Sequence, residues 1–522
     1  MEFAKKVLSK ISGFSNIAVC AVMLFIVSFL ALQSVMFSTF IDRDGTAYEE
    51  AVYNTDNLII NLLLLAVFLF AVILLKRFIY KLPAFWTGFA VCLFAFVISV
   101  IWIFSVRSIP ANDSRYVLEF GEQLAGIKDF GYADINQQNY FFLYPFQLGY
   151  VFVCEVFARI FGTADFMALQ VLNAVAVSAM FAGFIMTVNK VYENRKITNM
   201  TSIMLAGCVQ PMLMTTFVYG LILGFAFSAW AVYFAVSAIR SEGKRKWINI
   251  ALCAVMIAIA YLVKPNNAVV LVAICIIFLL DFFKKLKWQS LVAIALSIVL
   301  SLSLSAGVRA VIESRLDVDF GDGVPAIAWL NMGINDSYSA PGWYNGNQSK
   351  GIYVNSGYDA EKAKEDCYNR ISERMSYLLE HSNELNDFCY KKIVSQWNDP
   401  TYESIWISQV KRHDGEYAQY VKNIYESKSD SKAYKYMNIY QQTVMVFAAV
   451  GVLIILKKKD YCATLLLLVV FGGFLYHLLF EAKSQYLVTY FTALVPICAV
   501  GLVSVADIVG KKIKKKLPVG IK

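Results

Sequence analysis

Two residues invite chemistry because of where they fall beside long apolar runs. Asp113 lies about eight residues past the end of a hydrophobic stretch, in ANDSRY, with Arg115 and Tyr116 beside it. A carboxylate at the edge of a low-dielectric slab can take a proton from a hydroxyl, with its proton affinity set by burial and by neighbours such as Arg115. Asp113 or Ser114 ahead of YVLEFGEQL is equally good helix N-cap chemistry, so both roles stand open. Lys264, in YLVKPNN, sits between two apolar runs. An ammonium there is expensive unless it meets an anion or reaches water. Pro265 ends the preceding helix and leaves Lys264 at the slab boundary. Lys483 and Arg115 could share an anion with it, and Asp134 and Glu481 either act as secondary acids or pair with those bases.

The elements that must position these residues are membrane helices. Of 522 residues, 58% are hydrophobic and 16% charged, well outside the range of soluble domains. Apolar segments fall at about 17–37, 58–75, 84–105, 140–161, 165–188, 200–217, 218–239, 247–263, 266–283, 289–310, 439–456, 461–480 and 486–508. The expected class is an all-α polytopic membrane protein of about 12–13 transmembrane helices, with interfacial helices and a large extracytoplasmic loop. The connectors KRFIYK, NKVYENRK, RSEGKRK and KKLK and the tail KKIKKK are basic, which puts both termini in the cytoplasm and accounts for the net charge of +9 without nucleic acid. Both termini on one side require an even number of crossings. Either 140–161, with Pro145, Gln147, Glu155 and Arg159, does not cross, or the pair broken at Gln210-Pro211 shares one crossing; twelve is favoured. No cleavable signal is apparent at the first apolar run.

The chain divides into an N-terminal membrane region, 1–310, with a polar external loop at 106–140; an outer cap, 311–438, of two helices and loops; and C-terminal helices with a basic tail, 439–522. RYVLEFGEQLAGIKDFGY reads as a helix lying in the interface plane. Most of the ten cysteines lie singly in apolar helices, while Cys367 and Cys389 share the cap and either pair or stay free. With no CxxC and three scattered His, a structural zinc site is not expected. FIDRDGTAYEEA is a rival acidic loop, with Asp42 or Asp44 followed by Tyr48, but no Tyr-Pro entry follows it. Trp397-Asn398-Asp399-Pro400 reads first as a turn with an aromatic anchor, second as part of an acceptor site.

The order Asp, Tyr, short amphipathic helix, then YPFQLGYVFVCEVFARIFG resembles the first external loop of the GT-C glycosyltransferases. Within them it is similar to the branch of protein O-mannosyltransferases and lipid A aminoarabinose transferases. Tyr144-Pro145 stands where that family often has His-Pro, and Ile160-Phe161-Gly162 matches its helix end. YLVKPNN resembles the segment whose Lys meets a lipid phosphate, and FEAKSQYLVTYFTALVP resembles the late Glu…Arg-Tyr…Pro segment, with Gln485 where Arg is common. The resemblance spans about 84–508 and departs in its extra N-terminal helix pair and in having no second acid next to Asp113, which leaves a divalent metal open as a cofactor.

What the resemblance implies is transfer of a sugar from a polyprenyl-phosphate donor to an extracytoplasmic glycan, lipid or protein at a bacterial plasma (inner) membrane. Asp113 would be the base, and Lys264, Arg115 and Lys483 would hold the donor phosphate. Tyr116, Asp134, Tyr144, Glu481 and Tyr486 would line the acceptor and sugar pocket. No cytoplasmic loop is long enough for a nucleotide-sugar domain. The rivals are a flippase, which should carry charges mid-helix, a glycan ligase or polymerase resting on Arg374, Arg412, His381 and His413, and a structural scaffold.

Overall fold

The computed structural model describes residues 2–42, 49–134, 136, 138–458 and 460–516. The rival residues Asp44 and Tyr48 lie outside them. Among the described residues eleven helices are long and apolar enough to cross a bilayer. They are α1 (Glu2–Met36), α2 (Leu58–Ile79), α3 (Ala84–Val106), α6 (Phe166–Tyr192), α8 (Leu221–Ile239), α9 (Gly243–Val263), α10 (Ala268–Lys285), α11 (Gln289–Leu316), α14 (Lys432–Lys458), α15 (Thr464–Leu479) and α16 (Ser484–Lys516). The protein is therefore an all-α polytopic membrane protein, as its sequence leads one to expect.

Both segments in doubt differ from plain spans. Segment 140–161 is one turn (Tyr140–Leu143), a 3-10 turn (Pro145–Gln147) and α5 (Leu148–Phe161). The 14 residues of α5 rise about 21 Å, short of a hydrocarbon core of roughly 30 Å. Charges also anchor it. Buried Glu155 lies 2.7 Å from Arg159 and 2.9 Å from Arg315. Each arginine donates at 2.8 Å to Leu124 O, which closes the C-terminus of the interface helix α4 (Asp113–Leu124). The other segment is α7 (Arg195–Gly207), broken before Gln210-Pro211 and followed by short turns to Thr216. Asn199 holds its start to the Ile79 and Leu82 carbonyls, and Gln170 ties its end to Ser108 by donating to Ser108 O and Thr216 O. This broken segment thus runs beside α3 from end to end.

The connectors sort to two faces. At one face Lys76 and Lys196 meet Asp507, Arg240 meets Asp460, and Lys287 meets Glu242. At the other face lie α4, the α15–α16 loop and residues 317–431. That cap is more helical than the two helices expected. Besides α12 (Ala360–Glu380) and α13 (Ser382–Trp397) it holds short helices at Ile327–Gly333, Lys350–Asn355, Trp406–Gln409 and Gln419–Ser427. Cys367 and Cys389 are both free thiols.

The acidic N-terminal segment, read above as a loop, is a hairpin. Strand β1 (Phe37–Asp42) pairs antiparallel with β2 (Glu50–Thr55), from Phe37↔Thr55 to Asp42↔Glu50. Two of its outward backbone groups are used by the cap: Thr39 N donates to Asn398 O and Ala51 N to Ser339 O. The Ser108–His413 bridge, with Ile109 N donating to Arg412 O, fastens the cap to the loop that carries Asp113.

Close packing of α5 on α9 depends on Gly149, where a Cβ would run into the Leu262 carbonyl oxygen. Gly149→Ala is expected to destabilise the protein by about 1–3 kcal/mol through overpacking. A thermal melt in detergent checks this; an unchanged midpoint would mean that α5 shifts freely.

Candidate functional site

At the cap face the bundle opens into a cavity of about 1180 Å³, above the roughly 300–1,000 Å³ usual for small-molecule pockets. Its walls come from Glu49 just ahead of β2, the start of α4, residues between 130 and 147, Tyr219, the α9–α10 break, the cap and the α15–α16 loop.

Asp113 is the first residue of α4 and lines this cavity. The N-cap is Asn112, which makes no side-chain cap hydrogen bond, so Asp113 does not serve as the cap. Asn112 adopts φ 51°, ψ −130°, a conformation that non-glycine residues rarely accept, and it also faces the cavity. Tyr116, one turn on, stacks 4.8 Å from Tyr140.

Lys264 occupies the break between α9 and the Pro265–Asn267 turn that leads into α10. Asn267 stitches the break by donating to Ala260 O and Lys264 O and accepting from Ser228. The extended backbone at Lys264 (φ −151°, ψ 107°) directs its stem away from the helix axis, and it is 5% exposed. Its ammonium sits 3.5 Å from the centroid of the Tyr219 ring and makes no ion pair among the described residues. Burial lowers its pKa to about 7 against the opposing pull of Asp113 and Glu481. Tyr219 in turn contacts Tyr140 (3.2 Å between hydroxyls) and accepts a hydrogen bond from Gln147.

The α15–α16 loop brings Glu481, Lys483 and Tyr486. Burial raises the Glu481 carboxyl to about 7, partly offset by Lys483. Lys483 is committed elsewhere, 2.5 Å from Glu49 and 3.6 Å from Glu403. Burial alone would lower its pKa, but Glu403 and Glu49 more than offset this and raise it. Lys483 therefore brings little free positive charge to an incoming anion. The loop is held by Lys392 of α13, whose ammonium donates to Gly333 O and Phe480 O.

Of the residues singled out from sequence, Asp113, Tyr116, Asp134, Tyr144, Lys264, Glu481, Lys483 and Tyr486 all line the one cavity. Arg115 does not. It lies outside the lining, 64% exposed and 2.6 Å from Glu119 one helical turn away, a pairing already visible in the spacing. The residues offered for a ligase lie elsewhere. Arg374 pairs with Asp336, His381 stacks on Tyr377, and His413 contacts Val106 O. Asp42 pairs with Lys428. In Trp397–Pro400, Asp399 is buried and accepts from Thr401, Glu403 and Ser484, which is turn chemistry.

Sequence reasoning missed Tyr219, Trp329, Tyr344 and Lys411. The first three line the cavity. The Lys411 ammonium is buried 5.2 Å from the Phe217 ring centroid with no hydrogen-bond partner among the described residues. Burial lowers its pKa to about 8, opposed by Asp113. Trp329 and Tyr344 belong to the aromatic run AWLNMGINDSYSAPGWYNG, the only signal they gave. No group of three or more His, Cys, Asp or Glu comes together among the described residues.

No curated protein matches the sequence. Among solved structures, the archaeal oligosaccharyltransferase AglB from Archaeoglobus fulgidus, in complex with an inhibitory peptide and a dolichol-phosphate, is 13% identical with a TM-score of 0.42. The apo form of the Archaeoglobus fulgidus oligosaccharyltransferase is 12% identical with a TM-score of 0.43. Each alignment covers 83% of this chain and 52% of the other, so the chain spans about half the length of the structures it matches. Residues 11–505 match the family described as conserved hypothetical integral membrane protein, and the chain belongs to that family.

Proposed function

We propose that this protein is a membrane glycosyltransferase that moves a sugar from a polyprenyl-phosphate donor to an acceptor hydroxyl on the extracytoplasmic side of a bacterial plasma membrane. The observation that carries the reading is a single cavity that holds an acid, Asp113, together with a buried lysine, Lys264, that has no ion-pair partner among the described residues. The basic residues on the opposite face support the cavity's placement outside.

In the mechanism Asp113 accepts the acceptor's hydroxyl proton, and the resulting oxygen attacks the anomeric carbon. The bond from that carbon to the phosphate oxygen breaks, and its electron pair leaves with the lipid phosphate. Lys264, preorganised at the boundary of the slab, holds the charge that develops there. Lys483 keeps Glu49 and Glu403 balanced beside the site rather than binding phosphate itself. Arg115→Ala, outside the lining, should change turnover by less than about threefold, because an exposed i,i+4 pair adds only a few tenths of a kcal/mol.

The deciding experiment offers radiolabelled polyprenyl-phosphate sugars to the protein in lipid and scores release of polyprenyl phosphate. Release with sugar transfer is expected. Passage of intact donor across the bilayer without cleavage would replace this reading with a flippase.

A further inference from the structure

The acceptor's chemical class is open on the reading above, and the inference here rests on that reading. A ladder of rings leads away from Lys264. Its ammonium faces Tyr219, whose hydroxyl lies 3.2 Å from that of Tyr140. Tyr140 packs 5.0 Å from Tyr144, and Tyr144 lies 5.9 Å from Trp329 of the cap with the planes 36° apart. Phe146 meets Trp329 edge-on at 6.3 Å. The outer rings are far from fully packed: Phe146 is 42% and Tyr344 44% exposed, and both line the cavity. The Trp329 indole N–H has no hydrogen-bond partner among the described residues. Uncharged amides, Asn136, Gln138 and Asn139, share the wall.

Open aromatic faces interleaved with neutral amides are the complement of a sugar ring. One pyranose face presents polarised C–H bonds, which a ring's negative face attracts, while the hydroxyls around the rim need donors and acceptors. A lipid acceptor would want a wall without amides. A peptide would want a free strand edge, and the hairpin beside the cavity has already spent Thr39 N and Ala51 N on the cap. The volume beyond that of an ordinary small-molecule pocket leaves room for a second sugar next to the donor's.

We infer that the acceptor is a carbohydrate, seated in a subsite formed by Tyr144, Phe146, Trp329 and Tyr344, with the hydroxyl to be glycosylated turned toward Asp113. The test uses full-length protein in nanodiscs and an array of neutral and uronic-acid-containing oligosaccharides of two to six sugars, with a random peptide library as the control. Binding is read by saturation-transfer NMR, which reports which sugar C–H protons touch the protein. The wild type is expected to bind at least one oligosaccharide through one ring face. Trp329→Ala should weaken that binding at least tenfold, and Trp329→Phe should keep it within about threefold. Tyr344→Ala, at a more exposed position, gives a second loss that a folding defect would not explain. No binding to any oligosaccharide, equal binding by Trp329→Ala and wild type, or capture of peptides alone would each overturn the proposal. Donor cleavage is scored in parallel. If polyprenyl phosphate is released while no glycan binds, the subsite falls and the transferase reading stands; if no donor is cleaved, the transferase reading falls first.

Discussion

Asp113→Asn should lower sugar transfer by about 10²–10⁴-fold while leaving donor binding within a factor of about three. Asparagine has the shape of aspartate and can still hydrogen-bond in the cavity, but it cannot take a proton from an attacking hydroxyl. Asp113 is the first residue of α4 and the N-cap is Asn112, so the substitution leaves the capping residue in place. The comparison is single-turnover release of polyprenyl phosphate from preformed complexes of both proteins. Equal rates would take the base role from Asp113 and give it first to Glu481, a cavity carboxyl that burial raises to about 7.

The second large effect concerns Lys264. Lys264→Met keeps the stem and removes the charge, and transfer should fall by about 10²–10³-fold, the usual effect of deleting one preorganised group from a developing anion. Stability should hold or rise, because the wild type keeps an ammonium buried without an ion-pair partner among the described residues. A purely structural lysine would show the reverse, with lower stability and little change in rate.

The same lysine sets a pH dependence. Its pKa in the free protein is lowered to about 7, so it is charged below that pH and neutral above it. Glu481, raised to about 7, is neutral below that pH and anionic above it. Both proton losses disfavour a bound phosphate, so donor affinity should be level below pH 7. Above it, affinity should fall roughly tenfold per pH unit for one linked proton and more steeply where both act. Asp113, Lys483, Glu49 and Lys411 surround the pair and move the midpoint without reversing its sign. Glu481→Gln should flatten the profile. A dissociation constant constant from pH 6 to 9 would mean that Lys264 does not hold the phosphate.

The parts of this molecule that the sequence discloses are those encoded locally. Apolar runs mark the helices, and Pro265 marks the break that carries Lys264. The amphipathic pattern after Asn112 marks α4. Arg115 went astray because nearness in sequence to Asp113 was taken for nearness in space, whereas one helical turn carries it to Glu119. The hairpin was lost among acidic residues, because its two six-residue strands carry only a weak alternation. Trp329 and Tyr344 could not be placed from sequence, because they reach the cavity through packing of the cap on the membrane helices, a contact between segments far apart in the chain with no periodic signature.

The way Lys483 is held bears on how the protein is made. Its ammonium balances Glu49 from the hairpin and Glu403 from the cap, and both of these leave the ribosome before it. Until the last two helices insert, Lys483 is not beside those carboxylates, and the cavity lacks the wall carrying Glu481 and Tyr486. A nascent chain stalled before that point holds Asp113 and Lys264 already, yet has no closed chamber in which to use them. On the proposed function, competence for transfer should therefore arrive late and all at once.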